Sequence, residues 1–89
     1  MGADTGEIRG RITGRSGDAL VGVPVMIGGN SPPHDDLAAV TGPKGEYRLS
    51  GLVPGDYEIL ANAGDRLLVE RVHVAGGEVA ELHFVADDQ

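Results

Sequence analysis

Gly51-Leu52-Val53-Pro54-Gly55-Asp56-Tyr57-Glu58-Ile59 is the stretch on which the fold turns. Its first part is turn chemistry. Pro54 has a fixed φ and no N–H, and Gly51 and Gly55 reach backbone conformations closed to other residues. Its second part begins an alternation over 57–63, with Tyr57, Ile59 and Ala61 on one face. A period of two over that length marks a half-buried strand. An aromatic residue opening a strand directly after a bend has the form of a tyrosine corner. Its ring enters the core and its hydroxyl bonds nearby backbone.

The same alternation extends in both directions. Upstream, 46–50 places Tyr47 and Leu49 inside and Glu46, Arg48 and Ser50 outside, after the tight turn Gly42-Pro43-Lys44-Gly45. A short strand over 38–41 precedes that turn, and 29–37 is a loop. Over 21–28, Val23, Val25 and Ile27 point inward, with Pro24 and Met26 outward. Pro24 cannot donate to a ladder, so it implies an edge or a strand start. Over 7–14, Ile8, Gly10 and Ile12 alternate with Arg9, Arg11 and Thr13, and Ser16-Gly17-Asp18 is a turn. Gly10 on the inner face implies close approach by a neighbouring element.

Downstream, 67–74 and 79–85 are predicted to form a hairpin. A two-residue Gly76-Gly77 turn would set Val72 against Glu81 and bring an acid to the core. A three-residue connection over 75–77 pairs Val74 with Glu78, Val72 with Ala80, and Arg71 with Glu81 as opposite charges on the outer face. It puts Leu68, Val72, Val74, Ala80, Leu82 and Phe84 inside. Glu70 then faces inward unless an edge position or a bulge releases it.

The 89 residues suit one domain, expected over 7–86, with a disordered N-terminal tail at 1–6 and a C-terminal tail at 87–89. Fifteen glycines and five prolines break the chain at short intervals, and no window holds a sustained helical pattern. The expected class is therefore all-β. Without cysteine, disulfides and thiolate chemistry are excluded. A net charge of −7 disfavours nucleic acid and anionic membranes. No apolar run approaches the ~20 residues of a membrane span. Met1 to Gly6 has neither the basic nor the apolar region of a signal peptide.

Four ordered stretches resemble the carboxypeptidase regulatory-like domain, a transthyretin-like (prealbumin-like) sandwich. They are Ile8-x-Gly10-x-Ile12 leading to Leu20-x-Gly22-Val23-x-Val25; Thr41-x-x-x-Gly45-x-Tyr47-x-Leu49; Gly51-Leu52-x-Pro54-Gly55-x-Tyr57-x-Ile59; and Val72-x-Val74-x-x-Gly77 leading to Leu82-x-Phe84. The resemblance implies a seven-stranded Greek-key β-sandwich. It also implies a non-catalytic accessory or interaction module within a larger extracellular, periplasmic or cell-surface protein. Its partners would be neighbouring domains or another protein. A carbohydrate-binding module is the first alternative and a small hydrolase the second.

Side chains with chemistry are few. Collagen-adhesin B-type domains, which are related, cross-link a first-strand lysine to a last-strand asparagine. Here the sole lysine, Lys44, sits in a turn, and Asn30 and Asn62 lie outside the last strand. The related hydroxyisourate hydrolases end in Tyr-Arg-Gly-Ser, whereas this chain ends Phe84-Val85-Ala86-Asp87-Asp88-Gln89. Ser16, Ser31 and Ser50 have no spacing that pairs a nucleophile with a base. No catalytic residue and no cofactor is expected. His34-Asp35-Asp36 has the ligand types of a divalent-cation site, although three consecutive residues rarely converge on one ion. The hairpin register sets His73 and His83 on the order of 13 Å apart, beyond metal bonds of about 2 Å; both read as outer-face residues. A glycan platform needs exposed aromatic rings, and Tyr47, Tyr57 and Phe84 are assigned to the core. Met26, Leu37, Leu60, Val69 and Val85 are the exposed apolar candidates, and Leu60 beside Val69 would begin a contact patch.

Overall fold

The computed structural model describes residues 4–29, 31, 38–64 and 66–86. Among them lie eight strands: β1 (Gly6–Gly14), β2 (Pro24–Ile27), β3 (Ala38–Val40), β4 (Glu46–Leu52), β5 (Gly55–Ala63), β6 (Arg66–Val74), β7 (Val79–Glu81) and β8 (Phe84–Ala86). They make two sheets, one ordered β3-β2-β5-β6 and the other β4-β1-β7, with β8 also pairing β1. This is the expected all-β, transthyretin-like Greek-key sandwich, with eight described strands in place of the expected seven because the last one is split into β7 and β8. The core between the sheets holds Ile8, Ile12, Val25, Leu49, Leu52, Tyr57, Ile59, Val74 and Phe84. Every side chain assigned to the interior from the alternation is buried there or packs against it, Val72 and Leu68 from the half-buried side.

The bend after β4 forms as its residues dictate. Gly51 has φ 73°, in the left-handed region that favours glycine. It sits in a bulge: Gly6 faces Leu52 and Ile8 faces Leu49, so β4 spends one residue more than β1. The extra residue returns Leu52 to the core face, a burial that strict alternation from Leu49 does not give. The Tyr57 hydroxyl donates to the Val53 carbonyl at 2.6 Å, completing the tyrosine corner.

The last hairpin is not formed, and this corrects the expectation. Among the described residues β6 pairs only with β5, Leu60 facing Val69 and Tyr57 facing Val72. The chain then crosses to the other sheet, where β7 and β8 run parallel to β1. Gly77 N–H donates to the Thr5 carbonyl at 2.9 Å and Glu7 N–H to the Glu78 carbonyl at 3.0 Å, which pins the crossing to the first strand. A hairpin and a crossing between sheets bury the same alternate residues, so the alternation fixes which face is dry but not which strand is the neighbour. The single strand predicted over 79–85 is likewise interrupted at Leu82 and His83. Glu70 is exposed because β6 is an edge strand. A charge on the core side of an edge also discourages unwanted strand addition. Pro24 occupies the first position of β2.

Gly10 and Tyr47 explain the interruption. An added Cβ at Gly10 would fall on the Leu82 carbonyl. The same carbonyl accepts a hydrogen bond from the Tyr47 hydroxyl. Leu82 thus turns inward over a residue without a side chain, as the inner-face glycine implied. Its N–H continues the ladder to the Arg9 carbonyl at 3.0 Å.

Thr41 is the one buried polar residue among those described, at 3% exposure. Its hydroxyl donates to the Leu20 carbonyl at 2.6 Å and accepts from Val23 N–H at 2.9 Å. It therefore ties the β1–β2 connection to the end of β3. Thr41→Val keeps the shape and orphans both groups, so it should lower unfolding free energy by about 2 kcal/mol. Urea unfolding of the two proteins checks this, and an unchanged midpoint would show that water reaches the orphaned groups.

Candidate functional site

The two outer faces of the sandwich differ in chemistry. On the β3-β2-β5-β6 sheet, Ala38 faces Met26, Met26 faces Leu60 and Leu60 faces Val69. Directly opposed residues share a face, so an apolar row crosses the whole sheet. Val40 faces Pro24 in the adjoining row, and Leu67 faces Asn62. Val40, Leu67 and Val69 are exposed by 62%, 55% and 49%. The adjacency of Leu60 and Val69 is the one the sequence suggested. Val40 and Leu67 were missed, because their place depends on the β2–β3 and β5–β6 registers. Leu37 lies outside the described residues, and Val85 is exposed on the other sheet. Beyond the apolar rows the face becomes polar, with Glu58 facing Arg71 and Asp56 facing His73.

The β4-β1-β7 sheet presents charge. Arg48 faces Arg9, which faces Glu81 on its other side, and Glu46 faces Arg11. The Arg11 guanidinium meets the Glu46 carboxylate at 3.3 Å. Arg48 Nε lies 4.0 Å from Glu7. An open depression of about 880 Å³ runs over this face, lined by Arg9, Arg11, Arg48, Glu46, Glu81 and His83 among others. At the strand interruption, Arg11 N–H donates to His83 Nδ1 at 3.1 Å. A backbone donor there requires Nδ1 to be unprotonated, which puts the proton of neutral His83 on Nε2. That nitrogen lies 3.6 Å from Glu81 Oε1.

The two histidines read together in the sequence thus lie on opposite faces of the sandwich. His73 Nδ1 meets Asp56 Oδ1 at 2.8 Å, both side chains largely exposed. His34, Asp35 and Asp36 fall outside the described residues. Among the described residues no three His, Asp or Glu side chains cluster as a metal site. Ser31 Oγ receives the Glu58 N–H at 3.0 Å, and Ser16 donates to Asp18 at 3.0 Å. Tyr47 and Phe84 pack with ring centroids 6.0 Å apart, and both are buried, as is Tyr57. No aromatic face among the described residues is turned outward as a stacking platform. No described helix is long and apolar enough to cross a membrane.

The sequence profile of the carboxypeptidase regulatory-like domain matches residues 7–87. No curated protein sequence matches the chain. Solved structures do. The minor pilin of Streptococcus agalactiae superposes with a TM-score of 0.74 at 20% identity, over 98% of this chain and 46% of that one. The major pilin subunit of Bacillus cereus gives 0.76 at 15% identity, over 97% of this chain and 31% of that one. The dioxygenase domain of a dioxygenase carbohydrate-binding protein fusion from Streptomyces sp. SirexAA-E gives 0.70 at 19% identity, over 99% of this chain and 82% of that one. At these identities the likeness is one of fold. The chain spans less than half the length of the two pilins.

Proposed function

The chain belongs to the carboxypeptidase regulatory-like domain family, and from that membership we propose that it is a non-catalytic accessory module of a larger, extracytoplasmic protein. Its task is to dock a neighbouring domain of the same protein. The observation that carries this reading is the apolar row Ala38–Met26–Leu60–Val69 across the β3-β2-β5-β6 sheet. A patch that spans every strand of a sheet differs from apolar residues scattered singly, and such patches mark contact sites. A flat sheet face suits a second sheet laid upon it at about 10 Å. The similar pilin chains are much longer than this fold, which supports a companion domain as the occupant. The same likeness to pilins supports a cell-surface setting.

Methyl NMR tests the docking. Met26, Leu60, Leu67 and Val69 methyl resonances should shift between the isolated domain and the protein carrying its flanking domains. Leu60→Glu in the longer protein should abolish those shifts while leaving the domain folded. Identical methyl positions in both proteins would remove the docking role. Saturable shifts on one face with neutral oligosaccharides would instead favour the carbohydrate-binding reading.

A further inference from the structure

We propose that Arg9 and Arg48 form a seat for a carboxylate, and that the ligand is an acidic side chain on an extended polypeptide laid over the β1 and β4 surface. The two arginines face each other directly across the β1–β4 ladder. Like charges in that position repel. Among the described residues Arg9 makes no ion pair, although Glu81 faces it across the β1–β7 pairing, and the one ion pair of Arg48 is with Glu7 at 4.0 Å. An anion that enters between the two guanidiniums relieves this repulsion. A carboxylate between two guanidiniums accepts charge-assisted hydrogen bonds from both.

The surroundings define the ligand. Acids outnumber bases 14 to 7 in the chain, yet Arg9, Arg11 and Arg48 converge on one depression. Arg11 is already held by Glu46 at 3.3 Å. Glu46 and Glu81 border the arginine pair and repel a continuous polyanion, which excludes nucleic acid and favours a single acid between neutral or basic neighbours. The buried aromatic rings leave no stacking surface for a sugar. Among the described residues β4 is the outermost strand of its sheet. The seat lies on the sheet opposite the apolar row, and only Val40 of the apolar surface reaches the rim of its depression.

The test is a backbone NMR titration with the blocked peptide acetyl-Gly-Lys-Ser-Glu-Ser-Lys-Gly-amide. Saturable shifts at Arg9, Arg48 and their strand neighbours are expected. The analogue with Gln for Glu should bind at least tenfold more weakly, and so should the peptide to Arg9→Gln or Arg48→Gln. Arg66→Gln, on the other sheet, should bind as the parent does. Arg9→Gln relieves a repulsion and should fold normally; Arg48→Gln carries the same test if it does not. Equal binding of the two peptides, or none at these residues, would overturn the proposal. Binding of oligogalacturonate but not of the peptide would overturn the polypeptide assignment.

Discussion

Gly10→Ala should cost the domain about 3 kcal/mol or more, the upper end of what overpacking does. The added methyl meets backbone, the Leu82 carbonyl, and not the flexible end of a side chain. Relief requires β1 to separate from the β7–β8 segment, which breaks the Leu82-to-Arg9 ladder bond and the Tyr47 hydrogen bond together. A domain of 89 residues has roughly 4–13 kcal/mol of total stability. The substitution therefore removes a large share of it. Gly29→Ala is the control, because an added Cβ there meets none of the described residues within 4 Å. It should stay within about 0.5 kcal/mol of the parent. Urea unfolding of the three proteins decides the matter. A Gly10→Ala variant as stable as the control would mean that the Leu82 carbonyl does not sit over Gly10.

Alkali should unfold the domain through its tyrosines. Burial pushes the Tyr47 phenol well above its ordinary value of 10.0, and burial also raises Tyr57. In the unfolded chain both phenols ionise from about pH 10 upward. In the folded chain Tyr47 stays neutral well above that pH, and Tyr57 ionises later than in the unfolded chain. Above that pH the unfolded state binds fewer protons than the folded one, so stability falls as pH rises. Below it both states are protonated and the contribution is constant. Tyr47 alone gives a slope of about 1.4 kcal/mol per pH unit once pH exceeds 10. Tyr57 acts in the same direction. Urea midpoints between pH 8 and pH 11.5 should be flat at first and then fall steeply. Tyr47→Phe should be less stable at pH 8 by about 1–3 kcal/mol, since it leaves the Leu82 carbonyl unpaired. It should also lose part of the alkaline slope. An unchanged slope in that variant would show that Tyr47 ionises freely in the folded protein.

Local chemistry was legible in the sequence, and long-range pairing was not. Tyr57 after Pro54-Gly55 announced the corner, because a fixed turn and a strand-opening aromatic constrain each other within a few residues. Gly10 announced a close approach, because a glycine on a dry face of a strand has no other use. Leu60 and Val69 could be suspected of adjacency for the same reason: they lie on strands joined by a short turn. The partner of β7 could not be read. Val72, Val74, Ala80, Leu82 and Phe84 keep their inward faces in a hairpin and in a crossing alike, so no hydrophobic term separates the two. The Arg9–Arg48 pair was hidden by the same ambiguity, since 39 positions separate those residues and only the β1–β4 register brings them together. The 51–52 bulge escaped alternation because a single left-handed glycine rephases everything after it.

The parallel alignment of the last strand with the first has a mechanical consequence. Glu7–Arg9 run beside Val79–Glu81, and Ile12–Gly14 beside Phe84–Ala86, all in one direction. Pulling the two ends of the domain apart therefore drags these strands lengthwise past each other. The hydrogen bonds between them are loaded all at once, in shear. Antiparallel neighbours joined by a turn would instead peel open one bond at a time. Such a domain resists tension along its length through the full β1–β7–β8 seam, a property suited to a link in a chain that bears load.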